Sequence, residues 1–267
     1  MHPMLNIAVR AARNAGKVIT RAYEQLDKVE TMAKSANDYV TNVDKAAEQA
    51  IIETILKSYP DHSIIAEESG MVEGKDNDYQ WIIDPLDGTT NFIKGIPHFA
   101  ISVALRVKGR TEHGVVYDPL RNELFSASRG QGAQLNDYRL RTSAAKELDG
   151  ALLATGFPFK RKHYMESYLA MFAALFNQCG DMRRAGSAAL DLAYVAAGRH
   201  DGFWEMGLKP WDLAAGELIA REAGAIVTDF AGGSDVYRAG DIVCGNPKVV
   251  KGMLSAMRPH LPDSMKG

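Results

Sequence analysis

The stretch from Trp81 to Phe92 constrains the fold of this chain more than any other segment. It runs Trp-Ile-Ile-Asp-Pro-Leu-Asp-Gly-Thr-Thr-Asn-Phe, so an apolar strand leads directly into an acidic turn. Pro85 has no N–H group and is expected to end the hydrogen-bond ladder of the strand. Asp84 and Asp87 lie three residues apart around this turn, and their carboxylates can therefore converge on one point.

The acidic turn also favours the binding of a phosphate and of a hard metal ion. The amides of Gly88 and Thr89 begin a predicted helix, and the N-terminus of a helix attracts anions. Carboxylates beside a phosphate repel it unless cations lie between them. Because oxygen ligands without histidine favour Mg²⁺ over Zn²⁺, the turn predicts a magnesium site.

Two further acidic positions fit the same site. Glu67 follows a short apolar strand, and Asp212 follows Trp211 at the start of a predicted helix. Each acid alone has an ordinary structural explanation, since Asp-Gly is a common turn and Asp212 can cap its helix. The acids together, at strand ends and helix starts beside apolar runs, favour a functional site.

The order of predicted elements divides the chain into two halves. Residues 1–145 contain two amphipathic helices, the second beginning at Thr41, and then mainly antiparallel strands with a hairpin around Lys108-Gly109-Arg110. Residues 146–267 alternate strands with helices, which implies a sheet covered by helices. We expect an α/β protein whose N-terminal α+β half carries the metal motifs and whose C-terminal α/β half completes the substrate site.

Charge and cysteine content argue against several other classes of protein. The chain has 31 Lys and Arg residues against 33 Asp and Glu residues, a net charge of −2. This balance gives no electrostatic reason to expect strong nucleic-acid binding or a membrane surface as partner. No run of roughly 20 apolar residues predicts a membrane span. Cys179 and Cys244 lack metal-ligand spacing and are expected to be reduced thiols of a cytoplasmic protein.

Three motifs make the chain resemble a known family. They are Asp84-Pro-Leu-Asp-Gly-Thr-Thr-Asn-Phe92, the preceding Glu67-Glu68-Ser-Gly and the later Trp211-Asp-Leu-Ala-Ala-Gly216. Their order and separation resemble the inositol monophosphatase family, and the resemblance extends from the first helix to Asn246-Pro247. It implies a layered α/β/α/β/α sandwich of the sugar-phosphatase type, like that of inositol monophosphatase and fructose-bisphosphatase.

The resemblance implies metal-binding roles for particular residues. The ligands implied for a first Mg²⁺ are Glu67, Asp84, Asp87 and the backbone carbonyl of Leu86. Those implied for a second Mg²⁺ are Asp84, Asp87 and Asp212. A mobile loop is implied to complete a third, weaker metal site, and its residues are Lys34, Asp38, Val40, Thr41 and Asp44.

The resemblance also implies the substrate contacts. Gly88 and Thr89 would hold the phosphate through their amides, beside Leu86, Asp87 and Asp212. The residues implied to contact the rest of the substrate are Arg183, Gly186, Ser187, Ala188 and Glu205.

The implied activity is Mg²⁺-dependent hydrolysis of inositol 1-phosphate or a similar polyol monophosphate. Glu67 and Thr89 would orient the attacking water, which would displace the alcohol in line without a phosphoenzyme. Asp87 would act in catalysis through the metal, because its oxygens are needed as ligands and it is a poor nucleophile. Inhibition by Li⁺ and a homodimer are implied as well.

Two alternatives stay open at the level of sequence. A bisphosphate nucleotidase or sugar-bisphosphatase would use the same chemistry, but it would be expected to carry more basic or base-stacking residues around the substrate loop. The chain could instead be a regulatory protein, since bacterial members of the family are associated with transcription antitermination. Its partners would then be antitermination factors or RNA polymerase.

One aromatic series bears on the predicted dimer. Tyr164, Tyr168, Phe172 and Phe176 recur at four-residue steps along a predicted helix. Such a stripe indicates either a subunit interface or a monomer core, and the pattern does not choose between them.

Overall fold

The computed structural model describes residues 2–35 and 38–265, apart from the side chains of Ser35 and Asp38. Its helices are α1 (Pro3–Tyr23), α2 (Asn42–Ser58), α3 (Thr89–Ile93), α4 (Met165–Phe176), α5 (Ala188–Ala196), α6 (Pro210–Glu222), α7 (Val236–Ala239) and α8 (Pro247–Met257). The strands of the first half are β1 (Thr31–Ser35), β2 (Asp38–Thr41), β3 (His62–Ala66), β4 (Gly70–Val72), β5 (Asp76–Asp87), β6 (Ala100–Val107), β7 (Arg110–Asp118), β8 (Glu123–Ser128), β9 (Ala133–Leu135) and β10 (Tyr138–Arg139). Those of the second half are β11 (Leu152–Thr155), β12 (Asp181–Arg183), β13 (Gly202–Glu205), β14 (Ile226–Thr228) and β15 (Ile242–Gly245).

Helices α1 and α2 form the outer layer of the first half. The predicted start of α2 is confirmed: the side chains of Thr41 and Asp44 bond reciprocally to each other's backbone amides, which is a capping box. The helix ends at Ser58, two residues before Pro60. Small residues such as Ala11 and Ala15 are fully buried on α1, and they let this helix lie close to α2 and the sheet beneath.

The eight-stranded sheet has the order β10-β9-β8-β7-β6-β5-β3-β4. Only β3 and β5 pair in parallel within this sheet as described. The predicted hairpin between β6 and β7 is confirmed, and its turn uses left-handed backbone at Lys108 and Gly109.

The prediction that Pro85 ends its strand was wrong. Strand β5 continues to Asp87, with a register shift between Asp84, which pairs with Ser102, and Asp87, which pairs with Ala100. The missing N–H of proline therefore interrupts the ladder locally and makes a bulge, after which pairing resumes.

Helices α5 and α6 form a central layer between the two sheets. One set of their apolar side chains, including Leu190 and Ile219, packs on the eight-stranded sheet. Another set, including Leu192 and Leu213, packs on the five-stranded sheet, whose order is β12-β11-β13-β15-β14. Eight of the nine residues of α5 are buried for this reason, and Tyr194 is the exception.

Helices α4 and α8 cover the far face of the five-stranded sheet. Tyr168 and Met171 of α4 and Met253 of α8 are buried there against Trp204. The layers are thus α/β/α/β/α, which confirms the predicted sandwich. The division into two domains near residue 145 stays a prediction, because the central helices contribute to the cores on both sides.

The aromatic stripe of α4 is partly core and partly surface. Tyr168 is fully buried, whereas Phe176 is 53% exposed and the nearby Leu169 is 55% exposed. No helix of residues 2–35 and 38–265 combines the length and apolar character that crossing a membrane requires.

Candidate active site

The predicted metal ligands line one cavity of about 390 Å³. Asp84 and Asp87 lie at the end of β5, and Glu67 directly follows β3, the parallel neighbour of β5. Parallel neighbours end at the same edge of a sheet, which brings Glu67 beside the acidic turn. Asp212 reaches the cavity from the first turn of α6, in the central helical layer.

Asp84 is the most deeply buried of these acids, with 1% of its surface exposed. The amide of Leu86 donates a hydrogen bond to Asp84 Oδ1 at 2.9 Å. Burial raises the pKa of Asp84 well above its ordinary value, and the charges of Glu67, Asp87 and Asp212 raise it further. All four predicted acids therefore lie within electrostatic reach of one another.

Asp87 is held by the N-terminus of α5. Ser187 Oγ and the amide of Ala189 both donate to Asp87 Oδ2 at 2.7 Å. Burial still raises the pKa of Asp87 to about 6, although these two bonds lower it. The same serine accepts from the amide of Leu190 as the N-cap of α5, so one side chain fixes both the helix start and the carboxylate.

Asp212 is tied in the same way at the start of α6. The amide of Lys209 donates to Asp212 Oδ2 at 2.7 Å. Burial, followed by the charge of Asp87, raises the pKa of Asp212 to about 8. In the described part of the chain, each of Asp84, Asp87 and Asp212 keeps its second carboxylate oxygen free of hydrogen bonds.

Thr89 is oriented by the first turn of α2. Its Oγ1 lies 3.0 Å from Asp44 Oδ1 and 3.1 Å from the carbonyl oxygen of Leu86. The other oxygen of Asp44 accepts from the amide and hydroxyl of Thr41. Asp44 does not line the cavity but contacts Thr89, which does, and the predicted place of Thr41 and Asp44 at a third metal stays a prediction.

Lys34 reaches the site from strand β1. Its Nζ lies 2.5 Å from Glu68 Oε1 and 3.2 Å from Glu67 Oε1. A predicted loop residue thus contacts a predicted metal ligand. Tyr39 of β2 lines the cavity, Val40 is buried, and the side chain of Asp38 lies outside what the structure describes.

Two glycines shape the side of the cavity next to the acidic turn. Gly88 has a φ of +102°, and a Cβ there would lie 3.1 Å from the carbonyl oxygen of His98. Gly186 has a φ of +93° in the turn before α5. Asn91 joins the two turns, since its Nδ2 donates to the carbonyls of His98 and Ala185 at 2.8 and 2.9 Å. The predicted Gly186-Ser187-Ala188 turn therefore lies directly beside the acidic turn.

Glu205 lines the opposite wall, at the end of β13. A Cβ at Gly156 would lie 2.0 Å from Glu205 Cδ, so a glycine is required there to make room for this side chain. Burial raises the pKa of Glu205 well above its usual value, and Asp191 and Asp212 add to the shift.

Arg183, a predicted substrate contact, lies elsewhere. It pairs with Asp181 at 2.5 Å and does not line the cavity, whereas its neighbour Arg184 does. Arg184 also lies over the ring of Phe157, at 5.0 Å from the centroid. Successive side chains alternate in direction along extended chain, so Arg184 faces the cavity and Arg183 does not.

The sequence prediction missed several residues of the cavity wall. They are Asn91, Thr155, Gly156, Phe157, Phe159, Lys160, Arg184 and Asp191. For Asp191 a signal existed: it is the single charged residue of α5, in the otherwise apolar run Ala-Ala-Leu-Asp-Leu-Ala. Asn91 and Thr155 lie on α3 and β11, and the others lie in loops whose approach to the acids depends on the packing of the second sheet.

The charges of the cavity suit divalent cations. Six carboxylates line it, from Glu67, Asp84, Asp87, Asp191, Glu205 and Asp212, against the cationic side chains of Lys160 and Arg184. In residues 2–35 and 38–265 no three acidic, histidine or cysteine side chains already meet in a metal-binding arrangement. An oxygen donor set with this excess of negative charge fits Mg²⁺.

A larger cavity of about 960 Å³ lies at the other edge of the eight-stranded sheet. It is lined by His2, His113 and Arg129 among others, and its acids are Glu112 and Asp137. The smaller cavity, where strand ends and two helix N-termini bring the acids together, is the stronger candidate for chemistry.

The chain belongs to the inositol monophosphatase family, whose sequence model matches residues 1–261. It is 67% identical over 266 residues to Nus factor SuhB of Escherichia coli (strain K12), and the match covers 100% of both chains. Among solved structures, it is similar to extragenic suppressor protein suhB from Bartonella henselae, with 42% identity, a TM-score of 0.95 and coverage of 97% of this chain and 100% of that one. It is also similar to inositol monophosphatase from Anabaena (Nostoc) sp. PCC 7120, with 39% identity, a TM-score of 0.86 and coverage of 98% and 97%.

The raised pKa values predict that the metal-free protein loses stability between about pH 6.5 and about pH 8.5. Asp212 titrates at about 8 in the folded chain but near 4 when unfolded, so in this window the folded state holds a proton that the unfolded state has released. Rising pH removes that proton and lowers the free energy of unfolding. The buried histidines His113 and His200 act below this window, because burial lowers their pKa to about 4.

Urea unfolding at several pH values in EDTA measures this effect. Asp212→Asn serves as the control, because it removes one titrating group and should make the slope less steep. A free energy of unfolding that rises over the window in the wild-type protein would contradict the assignment.

Proposed function

We propose that this protein is a cytoplasmic Mg²⁺-dependent phosphatase that hydrolyses inositol 1-phosphate or a similar polyol monophosphate with metal-activated water. The observation that carries the proposal is the charge of the cavity, where six carboxylates face two cationic side chains. Once ionised, as metal binding requires, these acids exceed the two cations by four charges, which equals the charge of two divalent cations. Without such cations a phosphate ester could not approach these acids.

The residues that would hold the two ions are those with free carboxylate oxygens. Glu67, Asp84, Asp87 and the carbonyl of Leu86 would bind the first, and Asp84, Asp87 and Asp212 the second. When bound, Mg²⁺ supplies the Lewis acidity that makes water nucleophilic near neutral pH and stabilises the oxygen of the leaving alcohol.

The chain itself would orient the water and the phosphate. Thr89 Oγ1 is fixed between Asp44 Oδ1 and the Leu86 carbonyl, so its position is set before substrate binds. Thr89 can accept the proton of the water only as it passes its own to Asp44, which burial keeps at a raised pKa and therefore ready to be protonated. Gly88 and Thr89 would hold phosphate oxygens through their amides, and Glu67 would help to direct the water.

The wall of the cavity that carries Glu205 and Asp191 argues against a sugar-bisphosphatase or bisphosphate nucleotidase. A second phosphate beyond the metals would face Glu205 and Asp191, with Arg184 as the guanidinium on that wall. Two buried carboxylates disfavour an anion there, whereas hydroxyl groups can bond to them.

The first test is Asp84→Asn. The variant should lose at least tenfold in kcat, or about 1.4 kcal/mol of barrier reduction, because Asp84 would help to hold both ions. Phosphate release is measured with Mg²⁺ or EDTA over inositol, sugar and nucleotide phosphates. Asp118→Asn is the matched control, since Asp118 is equally buried but is paired with Arg121 outside the cavity. Wild-type turnover that survives EDTA, or more than a tenth of kcat in Asp84→Asn, would refute the proposal.

Li⁺ should inhibit at millimolar concentration. It is close to Mg²⁺ in size but has half the charge, so it suits the weaker site near Asp87 and Asp212 after hydrolysis and would retain the product phosphate there. Inhibition is then uncompetitive and strongest at high substrate. Rates measured over Li⁺ at several fixed substrate and Mg²⁺ concentrations check this, and full activity at high Li⁺ contradicts it.

We further propose a homodimer. Leu169 and Phe176 of α4 are each more than half exposed, and Phe157 near the cavity is 45% exposed, so an apolar surface stands outside the monomer core. Sedimentation at micromolar concentration should show about twice the 29.2 kDa mass of one chain. Phe176→Glu should shift the protein toward the monomer, and a wild-type species of one-chain mass would refute the dimer.

A second candidate function is regulatory, and the 67% identity to a protein named Nus factor SuhB favours it. The partners would be transcription antitermination factors or RNA polymerase. The Asp84→Asn variant separates the two functions in a pull-down with purified factors, because a regulatory surface should survive the loss of turnover.

A further inference from the structure

The far wall of the cavity contains a buried acid, Asp191, with a carboxylate oxygen that has no hydrogen-bond partner among the described residues. Asp191 lines the cavity, yet only 1% of its surface is exposed. Its Oδ1 has no hydrogen bond among the described residues. A polar group buried without a partner costs free energy, and native proteins seldom keep one without a use for it.

The groups behind Asp191 do not relieve this cost. His200 Nδ1 is the nearest candidate, but it lies 3.7 Å from Asp191 Oδ1 and is itself without a hydrogen bond in the described chain. This distance exceeds that of a hydrogen bond. Burial lowers the pKa of His200 to about 4, so a neutral imidazole stands behind the acid rather than a compensating cation.

The position of Asp191 on α5 directs it toward the substrate side. It follows the N-cap Ser187 by four residues, and residues four apart lie on the same face of a helix. Ser187 in turn bonds Asp87, the predicted metal ligand. Asp191 thus lies one helical turn further along α5 than the serine that bonds Asp87. Glu205 is close enough for its charge to interact with that of Asp191.

We propose that Asp191 is a substrate-binding residue that forms hydrogen bonds, together with Glu205, with hydroxyl groups of the leaving alcohol. This inference rests on the proposed phosphatase function and adds the feature that the site recognises, namely hydroxyls beyond the phosphate. Carboxylate oxygens accept hydrogen bonds from hydroxyl groups, so these two acids can bind the hydroxyls of a polyol.

The chemistry of this wall selects among ligands. Asp191 and Glu205 would repel a second phosphate, and an alkyl chain would leave both acids unpaired in the bound state. The hydroxyl groups of a polyol would form hydrogen bonds with both acids. Binding a polyol would therefore remove the free-energy cost of burying Asp191 without a partner, and this favours polyhydroxylated substrates.

The test is Asp191→Asn, compared with Asp118→Asn, a buried acid whose oxygens accept from the amides of Leu120 and Arg121 and from the Arg121 guanidinium. The ratio of kcat/KM for inositol 1-phosphate to that for a plain alkyl phosphate should fall at least tenfold in Asp191→Asn and should not change in Asp118→Asn. Melting of the metal-free proteins gives a second measurement. Asp191→Asn should melt at the wild-type temperature or above it, because no bond is lost, whereas Asp118→Asn should melt lower.

The proposal would be overturned if the ratio of kcat/KM values stayed unchanged in Asp191→Asn, as it would with equal losses on both substrates. It would also be overturned if Asp191→Asn lowered the melting temperature as Asp118→Asn does. The thermal shift produced by inositol 1-phosphate with Mg²⁺ separates this failure from that of the phosphatase function. A protein that binds the ester without hydrolysing it should still show a shift that Asp191→Asn reduces, and an equal shift in both proteins would refute the role of Asp191.

Discussion

The burial of several carboxylates at one point is the constraint on which the rest of the structure depends. Asp84, Asp87 and Asp212 each have a raised pKa, and burial is the largest cause for all three. Such a cluster opposes folding when its members ionise. The fold lessens this opposition by placing the N-terminus of α5 at Asp87 and that of α6 at Asp212, where helix dipoles favour negative charge.

The layered architecture follows from the need to deliver these acids from separate elements. The eight-stranded sheet supplies Glu67, Asp84 and Asp87 at the ends of two parallel strands. The central helices supply Asp212 and the Ser187 cap, and the second sheet supplies Glu205. The cavity thus draws its acids from both halves of the chain, Glu67, Asp84 and Asp87 from the first and Glu205 and Asp212 from the second.

Local rules made most of the fold predictable. The capping box at Thr41, the hairpin at Lys108-Gly109 and the strand that ends at Glu205 all depend on a few adjacent residues, and the structure has each of them. The resemblance of motifs supplied the layer order. The prediction that the strand ends at Pro85 failed because a β-bulge lets strand pairing continue past a residue without an N–H group. A sequence pattern does not show such a bulge.

The candidate site was predictable where it lies in a motif and not where it depends on packing. Glu67, Asp84, Asp87 and Asp212 were found because they follow strands or open helices, and all four line one cavity. The choice between Arg183 and Arg184 depends on which way a short strand faces, and a shift of one residue reverses it. Burial of Asp191 without a partner depends on His200, which comes nine residues later and stops 3.7 Å away.

The central helical layer has a consequence for the synthesis of the chain. The eight-stranded sheet is complete at Arg139, and α1 and α2 can already cover one of its faces. Its other face is covered by α5 and α6, which are made only when the ribosome has reached residues 188–222. A broad apolar surface is therefore exposed on the nascent chain during this interval, when contact with other chains leads to aggregation and a chaperone has its natural point of engagement.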